Sequence, residues 1–249
     1  MEKIYSRPVS LNPVAFNYCP GCLHGTSQKL LCDVIDELGK QEDTIAVMPI
    51  GCSTMGMFAF DFESLGACHG RAPAVATGVK RTAPEKLVFT YQGDGDIGYI
   101  GFSEIMHAAN RGENFTVIFA NNGTFGMTGG QMAPTTLIGQ RATTAPLGRD
   151  PSYGQGMPIH MSELVASLPL PVYVERCSVD TPAHANATRK AIKKAFDIQL
   201  AGKGFSFVEI LTNCPTNWGV SPVQSIAWIK EKTYTEYPLG VYKDITQEG

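Results

Sequence analysis

Short apolar segments alternate with longer helical patterns along most of the 249-residue chain, and this alternation limits the possible folds more than any other feature. Five segments are predicted as buried strands: residues 44–50, 86–91, 115–120, 172–179 and 206–212. Helical patterns are predicted before or between them, at residues 24–38, 72–83, 101–112 and 182–200. Strands that are separated by helices form parallel sheets. The sequence therefore predicts an α/β fold with a doubly wound, mostly parallel sheet.

The second and third predicted strands both end in polar turns. Residues 93–96 are Gly-Asp-Gly-Asp, and residues 121–122 are Asn-Asn. Ligands of an open parallel sheet bind in the crevice beyond the carboxyl ends of the strands, so we expect both turns to face one crevice. Mg²⁺ prefers oxygen ligands and often shares them with phosphate groups. The carboxylate of Asp94, the amide oxygen of Asn122 and the backbone carbonyl of Thr124 supply three such ligands.

The glycines of the first turn suit a phosphate group. Gly93 and Gly95 let backbone amides approach a ligand, and the start of the following helix favours negative charge. A Gly-Asp-Gly tripeptide by itself is equally typical of an ordinary turn. Its combination with Asn-Asn at the next strand end favours a magnesium-phosphate site, which a nucleotide or another phosphorylated compound could occupy.

Four of the seven cysteines lie beside glycine or proline at the boundary of a predicted element: Cys19, Cys22, Cys52 and Cys214. Cys32 and Cys177 lie within periodic elements and are predicted to be buried, whereas the pattern assigns no role to Cys68. Cysteines of a cytoplasmic protein stay reduced, so metal binding is the sharper alternative to burial. Four thiolates suit a tetrahedral zinc ion or a [4Fe-4S] cluster, and the spacing does not decide between them.

Two histidines precede predicted helices. His69 comes before Gly-Arg and a helix of small residues, which makes it a candidate for contact with a cofactor or a substrate. His24 begins the first helix, where a capping or solvent-exposed side chain is the usual interpretation.

The remaining segments are predicted to belong to one domain of residues 1–249. Residues 1–18 lack periodicity and form an extended arm, while residues 215–249 form an aromatic C-terminal extension that is too apolar to be a free tail. Residues 123–160 are loop-like and longer than a structureless connection usually is, so we expect them to be functional, disordered or ordered by a partner.

Composition excludes some classes of function. The net charge is −3, whereas nucleic-acid binding requires a clustered basic surface. Residues 1–20 lack the pattern of a signal peptide, and no segment approaches the length of a membrane span. We therefore expect a cytoplasmic protein that binds neither nucleic acid nor membrane.

Six motifs occur in a characteristic order: Cys-Pro-Gly-Cys at 19–22, Ile-Gly-Cys-Ser at 50–53, His-Gly-Arg-Ala at 69–72, Gly-Asp-Gly-Asp at 93–96, Asn-Asn followed by Gly-Met-Thr-Gly-Gly-Gln at 126–131, and Asn-Cys-Pro-Thr-Asn at 213–217. With these motifs the chain resembles, over nearly its whole length, the β subunit of the 2-oxoacid:ferredoxin oxidoreductases. Each motif is weak alone, but their order and spacing together are specific.

The resemblance implies a thiamine diphosphate-binding fold, with the magnesium ion of the cofactor on Asp94, Asn122 and the carbonyl of Thr124. It further implies that Cys19, Cys22, Cys52 and Cys214 hold a [4Fe-4S] cluster. The residues expected to contact the cofactor are Gly51, Cys52, Ser53, His69, Gly93, Asp94, Gly95, Asp96, Asn122, Thr124, Phe125, Met127 and Thr128. Among these, His69 alone is a candidate for a catalytic role, and no general acid or base is assigned to the chain.

The implied activity is oxidative decarboxylation of a 2-oxoacid to acyl-CoA and CO₂, with coenzyme A as co-substrate and ferredoxin as electron acceptor. The implied partner is an obligate α subunit, which supplies the glutamate that activates the cofactor. The expected assembly is α₂β₂ or a complex with additional γ and δ cluster-bearing subunits.

The loop after Cys52 contains no cation that could pair with a second substrate carboxylate, and Met55 stands about where some 2-oxoglutarate enzymes of this family place a lysine. We therefore expect an apolar substrate such as 3-methyl-2-oxobutanoate, with 2-oxoglutarate and pyruvate as alternatives. Two further interpretations are a subunit of a non-oxidative thiamine diphosphate decarboxylase and a metal-binding assembly subunit without catalysis.

Overall fold

The structure is a computed structural model that describes residues 6–247. Residues 1–5 of the predicted arm and residues 248–249 of the predicted extension lie outside the described residues. The strands, in chain order, are β1 Thr44–Met48, β2 Glu63–Gly66, β3 Leu87–Gly93, β4 Thr116–Asn121, β5 Thr124–Phe125, β6 Gln131–Met132, β7 Tyr173–Ser178, β8 Ser206–Leu211 and β9 Gly240–Asp244. The helices are α1 His24–Glu37, α2 Ala72–Thr82, α3 Phe102–Asn110, α4 Met161–Ala166, α5 Pro182–Leu200, α6 Pro215–Trp218, α7 Pro222–Trp228 and α8 Tyr234–Glu236.

Seven of these strands form one sheet in the order β2-β1-β3-β4-β8-β7-β9, and β5 pairs with β6 in a separate hairpin. Every neighbouring pair in the large sheet is parallel except β7 and β9. The predicted α/β fold with a mostly parallel sheet is therefore confirmed. The predicted strands and helices agree with the observed ones to within two residues at each end.

Helices cover both faces of the sheet. Leu31 of α1 and Phe196 of α5 pack with Phe89 on one face, whereas Ala76 of α2 and Ile105 of α3 pack on the other. Successive side chains of a strand point to opposite faces, so both faces of β3, β4 and β8 are buried. This double burial explains why the central strands appear in the sequence as continuous apolar runs.

The sequence did not predict β2, β9 or α4. The edge strand β2 is Glu-Ser-Leu-Gly and largely exposed, and β9 is the edge strand Gly-Val-Tyr-Lys-Asp. Edge strands lack the buried face that produces an apolar pattern, so periodicity does not detect them. Helix α4 has only six residues, too few for a helical repeat to be evident.

One buried side chain, Arg149, holds the loop of residues 123–160 in place through hydrogen bonds to its backbone. Arg149 is 2% exposed, and its guanidinium donates hydrogen bonds to the backbone carbonyls of Pro134 at 2.8 Å, Thr136 at 2.7 Å and Gly156 at 2.9 Å. Such contacts satisfy backbone groups that have no partner in a helix or a strand.

The described part of the N-terminal arm lies on the domain. The carboxylate of Asp36 accepts hydrogen bonds from the backbone N–H groups of Val9 at 2.5 Å and Ser10 at 3.0 Å, and Leu11 is buried. Among residues 6–247, none of the helices combines the length and the apolar character that crossing a membrane requires.

A buried ion pair links the neighbouring strands β7 and β8. The side chains of Arg176 on β7 and Glu209 on β8 are both fully buried, with Nε 2.8 Å from the carboxylate. The guanidinium also pairs with Glu163 of α4 at 2.5 Å and lies against the rings of Tyr237 and Tyr242. Strands β7 and β8 and helix α4 therefore share one charge network.

We predict that Arg176→Leu lowers the free energy of unfolding by about 3–5 kcal/mol, because it leaves the Glu209 carboxylate buried without its charge partner. The control is Lys193→Ala, which breaks the 2.8 Å ion pair with Asp197 on the exposed face of α5 and should cost about 0.5 kcal/mol or less. Urea denaturation of the three chains provides the comparison. Equal losses for the two variants would contradict the importance of the buried pair.

Candidate functional site

A cleft of about 500 Å³ lies at the carboxyl ends of β1, β3 and β4. Its lining includes every residue predicted to contact a cofactor: Gly51, Cys52, Ser53, His69, Gly93, Asp94, Gly95, Asp96, Asn122, Thr124, Phe125, Met127 and Thr128. His24, Ile50 and Gly126 complete the lining and were not predicted. The fold thus brings together residues that are up to about 100 positions apart in the chain.

Asp94 is the central acid of this cleft. Its carboxylate is 2% exposed and accepts hydrogen bonds from the N–H of Gly95 at 2.9 Å, the N–H of Thr124 at 3.1 Å and the hydroxyl of Thr135 at 2.6 Å. Burial raises the pKa of Asp94 to about 6, although these hydrogen bonds act in the opposite direction. The group is thus a desolvated acid whose ionised form needs further positive charge.

Asn122 faces the same point. Its side-chain oxygen accepts a hydrogen bond from the N–H of Thr124 at 3.1 Å, the same N–H that contacts Asp94. One oxygen of each side chain therefore accepts a hydrogen bond from the same backbone N–H group. Within residues 6–247, the lining of the cleft contains no lysine or arginine that could balance the Asp94 charge. A carboxylate and an amide oxygen without a neighbouring cation fit a divalent ion such as Mg²⁺.

Gly95 makes room for an aromatic ring over the acidic turn. A Cβ added at this position would lie 2.2 Å from the ring of Phe125. The Phe125 ring in turn has its centroid 6.3 Å from that of Tyr99 and 6.2 Å from that of His69. Glycine is thus required here because the β5 side chain packs directly on the backbone.

Asp96 differs from Asp94 in its contacts. One oxygen accepts a hydrogen bond from the N–H of Gly70 at 2.6 Å and also bonds Nδ1 of His69, while the other accepts one from the Gln92 amide at 2.6 Å. Both carboxylate oxygens are therefore engaged by protein groups. Asp96 fixes the His69 ring at the cleft, whereas the hydrogen-bond partners of Asp94 include no side chain that can carry positive charge.

The four cysteines at element boundaries lie on the same side of the cleft. Cys22 and Cys19 share a turn before α1, in which the N–H of Cys22 donates to the carbonyl of Cys19 at 3.0 Å. A Cβ added at Gly126 would lie 3.0 Å from the sulfur of Cys52 and 3.8 Å from that of Cys214, so both thiols lie close to Gly126. Cys19 is exposed, and the other three are partly exposed.

Burial lowers the acidity of Cys22, Cys52 and Cys214. It raises the pKa of Cys22 to about 12 and that of Cys52 to about 11, and it also raises the pKa of Cys214. The charges of neighbouring thiolates act in the same direction, which is consistent with their mutual proximity. Four neighbouring thiolates, three of them partly buried, need positive charge at their centre, and metal ions supply it.

The sequence left two metal centres open for these thiols, a zinc ion and a [4Fe-4S] cluster. Among residues 6–247, no three or more side chains of His, Cys, Asp or Glu are arranged so that they could hold a metal ion. Zinc requires four ligands around one point, with sulfurs about 2.3 Å from it. A [4Fe-4S] cluster takes one cysteine on each of its irons, so its ligands surround a larger volume. Both centres take cysteine ligands, so the donor type does not choose between them.

Asn213 links the turn that contains Cys19 and Cys22 to the segment that contains Cys214. Its side chain is fully buried, accepts a hydrogen bond from the N–H of Leu23 at 3.0 Å, and donates to the carbonyl of Gly21 at 3.0 Å and to the hydroxyl of Ser225 at 2.7 Å. It thereby clamps the turn that carries Cys19 and Cys22 beside its own neighbour Cys214. No sequence pattern predicted a role for Asn213 beyond its place in the Asn-Cys-Pro motif.

The expectation for His24 was wrong. The ring is 2% exposed, its Nδ1 lies 2.7 Å from the hydroxyl of Tyr91, and it stacks on Tyr18 with centroids 5.2 Å apart. It neither caps α1 nor points into solvent. Burial lowers the pKa of His24 to about 4, so the imidazole is neutral at neutral pH.

The other cysteines and Met55 lie away from the cleft. Cys32 and Cys177 are buried, as predicted, and Cys68 is exposed. Met55 lies half-buried in the 3₁₀ turn Cys52–Phe58 and is not one of the cleft-lining residues.

Comparisons with known proteins agree with this geometry. Residues 49–210 match the family described as thiamine pyrophosphate enzyme, C-terminal TPP binding domain. The fold and the cleft thus define a thiamine diphosphate-binding protein.

Individual relatives narrow the class. The chain is 44% identical over 248 residues to ketoisovalerate oxidoreductase subunit VorA of Methanothermobacter thermautotrophicus, a match that covers 100% of this chain and 52% of that protein. It is 37% identical over 237 residues to 2-oxoglutarate synthase subunit KorB of Methanocaldococcus jannaschii, covering 93% of this chain and 82% of that protein. The chain belongs to the family of 2-oxoacid oxidoreductase subunits with a thiamine diphosphate-binding domain. It spans about half the length of the VorA relatives.

A solved structure supports the assignment. The 2-oxoglutarate:ferredoxin oxidoreductase from Magnetococcus marinus, determined with 2-oxoglutarate, coenzyme A and succinyl-CoA bound, superimposes with a TM-score of 0.77 at 25% sequence identity. The match covers 94% of this chain and 83% of that chain.

We predict that Gly95→Ala lowers the free energy of unfolding by about 1–3 kcal/mol, because the new methyl group must displace the Phe125 ring. Gly93→Ala is the matched control in the same turn, since a Cβ at Gly93 meets no atom within 4 Å. Both variants should be measured without added cofactor, so that only packing contributes. A Gly95→Ala chain as stable as Gly93→Ala would show that Phe125 does not pack on this turn.

Proposed function

We propose that this chain is the thiamine diphosphate-binding part of a 2-oxoacid:ferredoxin oxidoreductase that acts on 3-methyl-2-oxobutanoate or a similar branched-chain 2-oxoacid. One observation carries the proposal: the side-chain oxygens of Asp94 and Asn122 converge on the N–H of Thr124, beside the sulfurs of Cys52 and Cys214. A metal-phosphate turn next to a group of thiols suits an enzyme that couples decarboxylation to electron transfer.

The proposed reaction is balanced in atoms and electrons. One 2-oxoacid, one coenzyme A thiol and two oxidised ferredoxins give one acyl-CoA, one CO₂, two reduced ferredoxins and one proton. The bond between C1 and C2 of the 2-oxoacid breaks, a carbon–sulfur bond forms, and the two electrons leave one at a time. Bound thiamine diphosphate supplies the electron sink that allows CO₂ to depart.

The residues of this chain bind and orient the cofactor in the proposal. Asp94, Asn122 and the carbonyl of Thr124 would hold Mg²⁺, which would supply positive charge for a diphosphate group. Phe125 covers the turn, and Met127 and Thr128 continue the wall of the cleft.

The boundary cysteines would hold a [4Fe-4S] cluster, which would supply a one-electron acceptor next to the cleft. The four ligands in the proposal are Cys19, Cys22, Cys52 and Cys214. Seven unpaired cysteines suit a reducing cytoplasm, where such a cluster is not lost to disulfide formation.

A partner subunit belongs to the proposal. Ile50 and Met127 line the cleft yet are 52% and 47% exposed, as expected of apolar surface that another chain covers. Within the described residues the cleft lining also contains no glutamate, so the acid that activates the cofactor comes from the α subunit. The relatives are themselves named as subunits. An α₂β₂ assembly, with or without cluster-bearing γ and δ subunits, completes the proposal, and ferredoxin is the acceptor.

The substrate preference rests on charge. A second substrate carboxylate, as in 2-oxoglutarate, needs a cation because burial of an unpaired charge is costly. The described lining of the cleft has no lysine or arginine, and the VorA relatives carry the name ketoisovalerate oxidoreductase. Both observations favour an apolar substrate side chain over that of 2-oxoglutarate.

We predict that Asp94→Asn weakens the Mg²⁺-dependent binding of thiamine diphosphate by at least about 100-fold, because the metal loses its carboxylate ligand. Asp150→Asn is the control, since Asp150 also accepts a hydrogen bond from a loop N–H but lies outside the cleft. Calorimetric titration of the assembled complex with cofactor, in the presence and absence of Mg²⁺, measures the effect. An unchanged Kd for Asp94→Asn would exclude Asp94 as the metal ligand.

The reconstituted complex should form acyl-CoA from 3-methyl-2-oxobutanoate with a kcat/KM at least about tenfold higher than from 2-oxoglutarate. Pyruvate serves as the small apolar comparison. The chain purified alone should show no turnover with any of the three and an artificial electron acceptor. A clear preference for 2-oxoglutarate would overturn the substrate assignment, and turnover by the isolated chain would overturn the requirement for a partner.

A further inference from the structure

Asn217 contacts both the sulfur of Cys214 and the loop of residues 126–130 between β5 and β6, which we call the cofactor loop. It lies on α6, three residues after Cys214. Its side-chain Nδ2 donates a hydrogen bond to the carbonyl of Gly126 at 2.8 Å and lies 3.2 Å from the sulfur of Cys214. Gly126 lines the cleft, and a Cβ added there would lie 3.0 Å from the sulfur of Cys52 and 3.8 Å from that of Cys214. One amide group therefore joins two parts of the proposed site.

The orientation of this amide is fixed by its partners. The carbonyl of Gly126 can only accept a hydrogen bond, so Nδ2 and not Oδ1 must face it. An amide nitrogen carries two N–H bonds that point in different directions, and the second is available to the sulfur. Asn217 also packs on Gly130, where an added Cβ would lie 3.0 Å from the Cβ of Asn217. This packing keeps the amide beside Cys214.

The same short helix reaches the metal turn. The indole N–H of Trp218 donates to the carbonyl of Asn122 at 3.1 Å. Through Asn217 and Trp218, α6 thus contacts the thiol of Cys214, the cofactor loop at Gly126 and the proposed magnesium turn at Asn122. No other described helix makes hydrogen bonds to all three.

We infer that Asn217 is a positioning residue that donates a hydrogen bond to the Cys214 thiolate, raises the reduction potential of the bound cluster and holds the cofactor loop against it. The inference deepens the proposed function and rests on it. Reduction adds negative charge to a cluster and its thiolates, and an N–H donor stabilises that charge. The hydrogen bond therefore favours the reduced cluster, which suits an acceptor that must take electrons from the cofactor.

The test uses the assembled complex, purified anaerobically, with Asn217→Leu, Asn217→Asp and the control Thr216→Val. Leucine and aspartate both remove the donor while keeping a side chain of similar size. Thr216 is the exposed neighbour on the same helix. Iron and sulfide analysis first establishes the cluster content of each protein. Redox titration followed by electron paramagnetic resonance then gives the midpoint potential, and pulsed spectroscopy in D₂O reports the exchangeable protons near the cluster.

The inference predicts that both Asn217 variants keep the cluster, show a more negative midpoint potential and lose one exchangeable-proton coupling, while Thr216→Val matches the unmodified complex. A retained cluster with an unchanged potential in both variants would overturn it. Loss of iron from both variants in a folded complex would also overturn it, because Asn217 would then be needed to hold the cluster and not to tune it. Absence of iron and sulfide from the unmodified complex would instead overturn the cluster in the proposed function, and this inference with it.

Discussion

The carboxylate of Asp94 is buried at the carboxyl end of β3, and the arrangement of the site follows from that burial. Two backbone N–H groups and one hydroxyl surround it, but the described lining of the cleft offers no basic side chain. Burial therefore raises its pKa, and a divalent ion would remove that cost. The parallel sheet makes this possible, because it places the ends of β1, β3 and β4 side by side and leaves a crevice beyond them.

Helix α6 and the residue before Cys214 connect the Asn122 turn to the thiols. Asn213 clamps the Cys19–Cys22 turn, Asn217 contacts Cys214, and Trp218 contacts the carbonyl of Asn122. The contacts of Asn213 and Trp218 join residues that lie about 100 to 190 positions apart in the chain. A few polar side chains on one segment therefore fix the position of the thiols relative to Asn122.

Much of the fold could be predicted from the sequence because the central strands are buried on both faces and appear as apolar runs. The cleft residues could be predicted because they follow those strands, so the position of Asp94 or Cys52 at a strand end already implies a shared crevice. Edge strand β2 has no buried face and therefore produces no apolar pattern in the sequence. Asn213 and Asn217 act through contacts with distant backbone groups, which no local sequence pattern reveals. His24 was misjudged because helix-start statistics ignore Tyr91, which buries it.

The most direct test of a magnesium-cofactor turn beside an iron-sulfur cluster is anomalous diffraction. Crystals of the anaerobically assembled complex with Mg²⁺ and thiamine diphosphate should be measured on both sides of the iron absorption edge. We predict iron density enclosed by the sulfurs of Cys19, Cys22, Cys52 and Cys214, with the diphosphate bridged to Asp94 and Asn122. Absence of iron density among these sulfurs, or anomalous signal at the zinc edge only, would contradict it.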